Sequence, residues 1–421
     1  MNLDWTRLRA VVLESDDWGL CAWSPDVKGW RALADQPVFR SPSGRRYAGS
    51  TLESAADVEA MTELLGTFRG GDGFPPVWQA NMIVAAPDYA KLVPPAFDAP
   101  ELPLVELPNL PSRWDRPRLW EQVTVARMSG LWWPELHGLH HLPGQAWLAA
   151  LRRGAPDARR ALEHQSPICA GVDASGEYHP SEPAEVRTRD LETAVATFRR
   201  LFGRLPGSMC PPDYRWDEHL EREAERLGVT TFQGKGEQLG HSFPRLRRLL
   251  LRYRWPHVHG GRFYLPIRIA FEPHGQPATS RVGAAAAHRA AREAWSRGQP
   301  AVISTHRVNY VHLDPAAAEN GRAQLRDLMG RLQGDNAVFL TDVEVRQLQE
   351  RAWSLREVGN RGVLVRYYGV PREPLSFDAP HDAVGVALRD GGRDGVEARI
   401  AAGRVEARLH DGEYLLEWQR T

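Results

Sequence analysis

Two adjacent carboxylates, Asp16 and Asp17, follow closely on the apolar run Arg9–Leu13 (RAVVL). Like charges this close push one pKa upward at the end of a buried strand, and a bound cation relieves the conflict. An acidic turn or a helix cap would also account for such a pair. A second cluster, Glu135-Leu136-His137-Gly138-Leu139-His140-His141, sets His137 and His141 at i and i+4. On one helical turn both imidazoles would face the same side, a workable spacing for two ligands of one metal. A single histidine here would be an ordinary core or surface residue, but three within five positions are harder to explain that way. His140 reads as structural or as backing the ligands. In Ser208–Trp216 (SMCPPDYRW), two prolines fix a turn from which Asp213, Tyr214 and Arg215 project, although a plain strand-to-helix connector would look similar. Finally, Ile303–Tyr310 (ISTHRVNY) puts His306 and Arg307 at the end of an apolar run.

All four clusters sit at or just after strand candidates. In parallel α/β folds the C-terminal strand ends share one mouth, so residues far apart in sequence can converge there. The strand candidates are Arg9–Leu13, Val77–Ile83, Leu131–Leu136, Gly207–Cys210, Val229–Gln233, Phe263–Ile267, Ala301–Thr305 and Ala337–Leu340. Helical patterns alternate with them over Leu52–Phe68, Pro117–Met128, Gln145–Arg153, Thr188–Phe202, Trp216–Leu227, Ala284–Arg297, Pro315–Leu332 and Asp342–Ala352. This alternation predicts a parallel α/β architecture, a barrel or a doubly wound sheet. From about residue 355 the pattern changes to short alternating runs divided by Gly and Asp, which predicts a small antiparallel β appendage. The division expected is therefore 1–354 and 355–421. The Pro-rich stretch Val93–Pro111 reads as an ordered excursion over the mouth.

The chain has 421 residues, 42% hydrophobic and 25% charged, as in a soluble globular protein. Lys+Arg and Asp+Glu are both 53, so no basic footprint for nucleic acid exists. The run Arg245–Arg254 (RLRRLLLRYR) interleaves arginine with leucine and reads as an amphipathic segment with a solvated face. The first residues carry acids where a secretory apolar core would run, and no apolar stretch is long enough to span a bilayer. Cys21, Cys169 and Cys210 are scattered and read as free thiols, so a cytoplasmic enzyme is expected. Fifteen tryptophans are many for this length; many must build core, and an excess of flat rings also suits a sugar-binding cleft.

In order, the Asp-Asp pair, His-x-x-x-His, a Pro-containing loop and a late strand ending in His resemble the polysaccharide deacetylases (carbohydrate esterase family 4 and relatives), over about residues 8 to 350. The resemblance implies a distorted (β/α) barrel of the polysaccharide deacetylase type, carrying one divalent ion, usually Zn2+, and acting on a carbohydrate. Asp17, His137 and His141 would be the ligands, Asp16 the general base and His306 the acid that protonates the leaving group. A metal-activated water would attack the acyl carbonyl, with a main-chain N–H near Asp213 helping to hold the oxyanion. Trp18, Asp213, Tyr214, Arg215 and Arg307 would bind or orient the substrate. The chain departs from the pattern at Cys210, where the family carries the arginine that orients the base. Arg307 or Arg215 is expected to supply the missing guanidinium. Gly138 replaces the family's Ser or Thr, and the family's Asp-containing fourth motif has no clear counterpart. Two other readings remain open: a glycoside hydrolase or lyase using Asp16 and Asp213, and a non-catalytic sugar-binding protein.

Overall fold

In a computed structural model that describes residues 3–420 apart from 95, 100, 173–175, 235–254, 276–277, 369–373 and 389–395, strand β1 (Ala10–Trp18) forms the centre of the molecule. The basic run Arg245–Arg254 lies outside the described residues. β1 is buried at every position. Ala10 and Val12 pack with Leu265, Val302 and Leu340 on one face, while Val11 and Leu13 pack with Met61, Leu65, Ala291 and Leu328 on the other. A strand apolar on both faces belongs in a parallel sheet with helices outside it.

The remaining strands of this sheet are β2 (Trp78–Ile83), β5 (Trp132–Gly138), β6 (Ser208–Met209), β7 (Thr231–Gly234), β8 (His257–His259), β9 (Arg262–Ile267), β10 (Ile269–Ala270), β11 (Ala301–His306) and β12 (Val338–Leu340). Their order is β10-β11-β1-β2-β5-β6-β7-β9-β8, with β12 also beside β1. Every pairing is parallel except the hairpin β8–β9. Only Arg268 separates β9, which pairs with β7, from β10, which pairs with β11. The excursion after β2 is ordered as a short hairpin, β3 (Ala85–Pro87) with β4 (Leu104–Glu106), and returns where the Leu107 amide donates to the Val84 carbonyl.

Helices follow the strands, among them Ala55–Gly66, Leu119–Met128, Ala184–Phe202, Glu218–Arg226, Ala284–Ser296, Pro315–Gly334 and Asp342–Arg351. Reciprocal capping boxes start two of them, Ser54 with Asp57 and Thr341 with Glu344. Among the described residues four short helices, Trp5–Leu8, Val27–Leu33, Pro42–Arg46 and Pro156–Glu163, have no counterpart in the sequence expectations.

β1 does not end at Leu13 as expected but runs through Asp16, Asp17 and Trp18. A regular strand would turn neighbouring side chains to opposite faces. Here the β1–β2 register slips between Ser15 and Trp18, and Asp17 takes a left-handed φ of 74°. The bulge lets both carboxylates serve one site. A matching slip lies between β2 and β5, where Met82 faces Leu136 and Ile83 faces Gly138, leaving His137 as the extra residue.

The C-terminal strands are β13 (Trp353–Val358), β14 (Gly362–Tyr367), β15 (Leu375–Asp378), β16 (Ala383–Leu388), β17 (Glu397–Ala401), β18 (Arg404–Arg408) and β19 (Gly412–Arg420). They form two antiparallel sheets, β13-β14-β19-β16 and β15-β18-β17, around Val363, Val365, Leu375, Val405 and Leu416. Buried arginines tie them to the loop before β2 and to helix Asp342–Arg351. Arg366 pairs with Asp72 at 2.7 Å and with Glu344, and Arg356 pairs with Glu344 at 3.2 Å. Among the described residues no helix is long and apolar enough to cross a membrane.

Candidate metal centre

The two bulges bring Asp17 and His137 together, and the loop beyond β5 returns His141 to them. Nε2 of His137 and Nε2 of His141 each lie 3.5 Å from Asp17 Oδ1. All three side chains are buried, and their ligand atoms fall within 4.8 Å of one another. A tetrahedral ion with bonds of about 2.1 Å sets its ligand atoms roughly 3.4 Å apart, so the separations fit. His137 Nε2 is buried and lacks a hydrogen-bond partner, as an imidazole nitrogen reserved for a cation would be. The other nitrogen, Nδ1, lies 2.6 Å from the Cys210 carbonyl, which can only accept, so Nδ1 carries a proton and Nε2 is the nitrogen turned to Asp17. The two histidines do not share a helical turn as expected. His137 ends a strand and His141 sits in a loop at a φ of 61°.

Asp16 is buried and clamped. Arg268 Nη2 donates to Oδ1 at 2.8 Å, and Asn81 Nδ2 donates to the same oxygen at 2.6 Å. Burial alone would raise the Asp16 carboxyl. The Arg268 guanidinium, with His137 and His306, outweighs it and holds the group well below the usual carboxylate range. Asp17 is likewise held low, against burial, by His137, His306 and His141. Asp16, His137 and Cys210 also form a compact set, but Asp16 is already engaged by Arg268 and Asn81.

Arg268 is the guanidinium that meets Asp16, and sequence reasoning missed it. Its Nη1 lies 3.1 Å from Cys210 Sγ and 3.4 Å from the Tyr214 hydroxyl, and its Nε lies 2.6 Å from Glu14 Oε2. The expected substitutes are elsewhere. Arg307 is buried against Glu53 Oε2 at 2.8 Å and the Leu20 carbonyl at 3.0 Å. Arg215 pairs with the exposed Asp213 at 2.8 Å. A usable signal was present, because Arg268 directly follows the strand candidate Phe263–Ile267, the same position that singled out His306.

His306 faces Asp16, with Nε2 3.8 Å from Oδ2. Glu272 Oε1 lies 2.5 Å from His306 Nδ1 and so accepts its N–H. The Glu272 carboxyl would be raised by burial, but His306 and Arg46 hold it below its usual value. Arg46 pairs with Glu272 at 2.7 Å, and Tyr47 packs edge-on to His306 at 6.0 Å. Glu272, Arg46 and Tyr47 were not foreseen. Arg46 ends one of the unforeseen helices, too short to show a period.

Other expected positions fall differently. Trp18 does not line the mouth; it is fully buried, donates to Ser15 Oγ at 2.8 Å and packs edge-on to Trp132. Trp23, Trp78, Trp114, Trp132, Trp147 and Trp216 are fully buried too, so these rings build core rather than a sugar platform. Tyr214 is buried and donates to the Gln233 carbonyl at 3.1 Å. The Tyr214 and Arg215 amides donate to the carbonyls of Pro211 and Pro212. Asp16 pairs with Arg268 and His306, and Asp213 pairs with Arg215.

No protein-family description and no curated protein matches the chain. Among solved structures it is similar to a protein assigned as a polysaccharide deacetylase from Mycobacterium smegmatis, with 14% identity over 80% of this chain and 90% of that one, at a TM-score of 0.39. It is also similar to the carbohydrate deacetylase Agd3, with 10% identity over 97% of this chain and 65% of that one, at a TM-score of 0.35. A third is the Thermotoga maritima alpha-fucosidase in complex with fucose, at 11% identity, 99% and 96% coverage and a TM-score of 0.34. These are likenesses of shape at low identity, and the chemistry below rests on this chain's own residues.

Proposed function

We propose that this chain is a divalent-metal hydrolase that removes an acyl group, acetyl in the simplest case, from an amino sugar or other carbohydrate. The observation that carries the reading is the buried set Asp17, His137 and His141 beside a clamped carboxylate, Asp16, and a carboxylate-backed imidazole, His306. Two imidazoles and one carboxylate suit Zn2+, and three protein ligands leave a position open for chemistry. When bound, the ion supplies a Lewis acid that polarises the acyl carbonyl and acidifies water.

The chain's residues supply the rest. Asp16, kept ionised by Arg268, accepts the proton of the attacking water. Its second oxygen faces His306, so base and acid open on the same space. His306 acts when both ring nitrogens are protonated: Glu272 keeps the Nδ1–H, the Nε2 proton passes to the departing nitrogen or oxygen, and the proton that Asp16 took from the water restores it. We also read the sheet as a closed barrel in which β9 and β10 are one strand broken at Arg268. β7 holds the first half and β11 the second, which returns the path to β1.

The test is acetate release by the purified chain from a panel of N- and O-acetylated sugars, with and without a chelator. Turnover should stop with the chelator and return with Zn2+. Asp16→Asn should lose roughly two to four orders of magnitude in rate. Turnover indifferent to the chelator would reject the reading.

A further inference from the structure

The two histidine ligands are supported unequally. His137 Nδ1 rests on the Cys210 carbonyl at 2.6 Å, whereas His141 Nδ1 is buried with no hydrogen-bond partner. Once Nε2 of a neutral imidazole is committed to a cation, the ring proton must sit on Nδ1, and a buried N–H needs an acceptor. A matching orphan exists nearby. Glu177 is buried, and its Oε1 accepts the Leu139 amide at 2.6 Å, within the loop that carries His141. Its Oε2 is buried and has no partner. The charge of Glu177 acts on His141 and on His140.

Gly138 is part of the same arrangement. A Cβ there would drive into Glu177 Oε1 and come within 2.9 Å of Pro212 Cγ. The space that a side chain at 138 would fill is therefore occupied by the Glu177 carboxylate.

We propose, on the basis of the metal-centre reading above, that Glu177 is a positioning residue for the metal, holding the Leu139 amide with one oxygen and accepting His141 Nδ1–H with the other when the ion is bound. A carboxylate behind a ligand imidazole fixes its tautomer and raises its basicity, and losing such a partner typically costs about 10- to 100-fold in metal affinity. Tyr178 is the competing donor, because its hydroxyl is also buried and meets Glu177 through hydrogen bonding as well as charge.

Glu177→Gln separates the two roles. The amide keeps one carbonyl oxygen for Leu139 N–H but puts an NH2 where Oε2 stood, and NH2 cannot accept from His141. Zn2+ and Co2+ affinities are measured by competition with a chromophoric chelator, and the melting temperature of the metal-free chain is measured in parallel. Glu177→Gln should melt with the wild type when metal-free yet bind about 10- to 100-fold more weakly, with a changed Co2+ visible spectrum. Gly138→Ser, which displaces the carboxylate, should weaken binding similarly, and Tyr178→Phe should not. Wild-type affinity and spectrum in Glu177→Gln, or the same loss in Tyr178→Phe, would overturn the inference while leaving the metal centre standing. A wild-type chain that takes up neither ion would overturn the metal centre itself.

Discussion

Arg268 and Arg307 both follow apolar strands, the first with a side chain 8% exposed and the second fully buried, and their partners distinguish them further. Arg268 touches Asp16, the base of the proposed reaction, so Arg268→Met should lower turnover by about 10- to 100-fold while bound metal is retained. Arg307→Met instead leaves Glu53 buried without its counter-charge. It should cost about 3–5 kcal/mol in urea unfolding. Equal effects of the two substitutions on turnover per folded molecule would contradict this assignment. Glu14 shows the electrostatic cost of the arrangement. Burial and the charge of Asp342 lift its carboxyl well above the ordinary 4.5, with Arg268 opposing. The folded chain therefore holds a proton at Glu14 that the unfolded chain has released. Its contribution is complete below pH 4.5 and is lost as pH rises toward the folded value, at up to about 1.4 kcal/mol per pH unit. In metal-free chains unfolded at a series of pH values, Glu14→Gln should gain on the wild type as pH rises; parallel profiles would contradict this. At this scale the sequence reading reached residue types but not partners. The carboxylates and imidazoles were visible because few residues can ligate a metal. Which arginine meets Asp16 depends on which strand lies beside which, and local pattern does not carry that.

Among the elements, strands buried on both faces were the most legible. β2, β5 and β11 match apolar runs nearly residue for residue, and β1 matches over its apolar half before running on through Trp18, because a two-sided core leaves a continuous apolar signature. The bulges were not legible. They are backbone events, seen in the register slips and in Asp17's left-handed φ, and no residue type announces them. That is why Trp18, placed at the mouth by counting, belongs to the core. The site also depends on a helix that contributes no ligand. Helix Pro315–Gly334 packs on the turn Arg307–Asn309, and a Cβ on Gly321 would land on the Asn309 carbonyl oxygen. Asn309 donates to Glu272 Oε2 at 2.8 Å and to the His306 carbonyl at 3.0 Å. Gly321→Ala should therefore cost about 1–3 kcal/mol in denaturant unfolding and lower turnover without lowering bound metal. Full activity with unchanged stability would show that this packing does not govern His306.

Across the whole molecule, side chains from β1, β5, the loop after β5, the break between β9 and β10, and the end of β11 meet at one place. Sequence order made this convergence foreseeable only through the rule that parallel strands share a C-terminal mouth. The C-terminal strands were legible as a change of texture near residue 355. Their attachment was not, because Arg366 finds Asp72, 294 positions earlier, while Arg366 and Arg356 share Glu344 of the helix just before them. We keep the division into 1–354 and 355–421 as a proposal, noting that these buried ion pairs couple the two parts. The claim on which the account turns is that Asp17, His137 and His141 together hold one divalent ion. The metal-to-protein ratio of the purified chain and of His141→Ala, by inductively coupled plasma mass spectrometry after dialysis against Zn2+-free buffer, tests it most directly. The account predicts about one equivalent of a divalent transition metal in the wild type and a small fraction of that in the variant. A wild-type chain without metal, or a variant that keeps it in full, would contradict it.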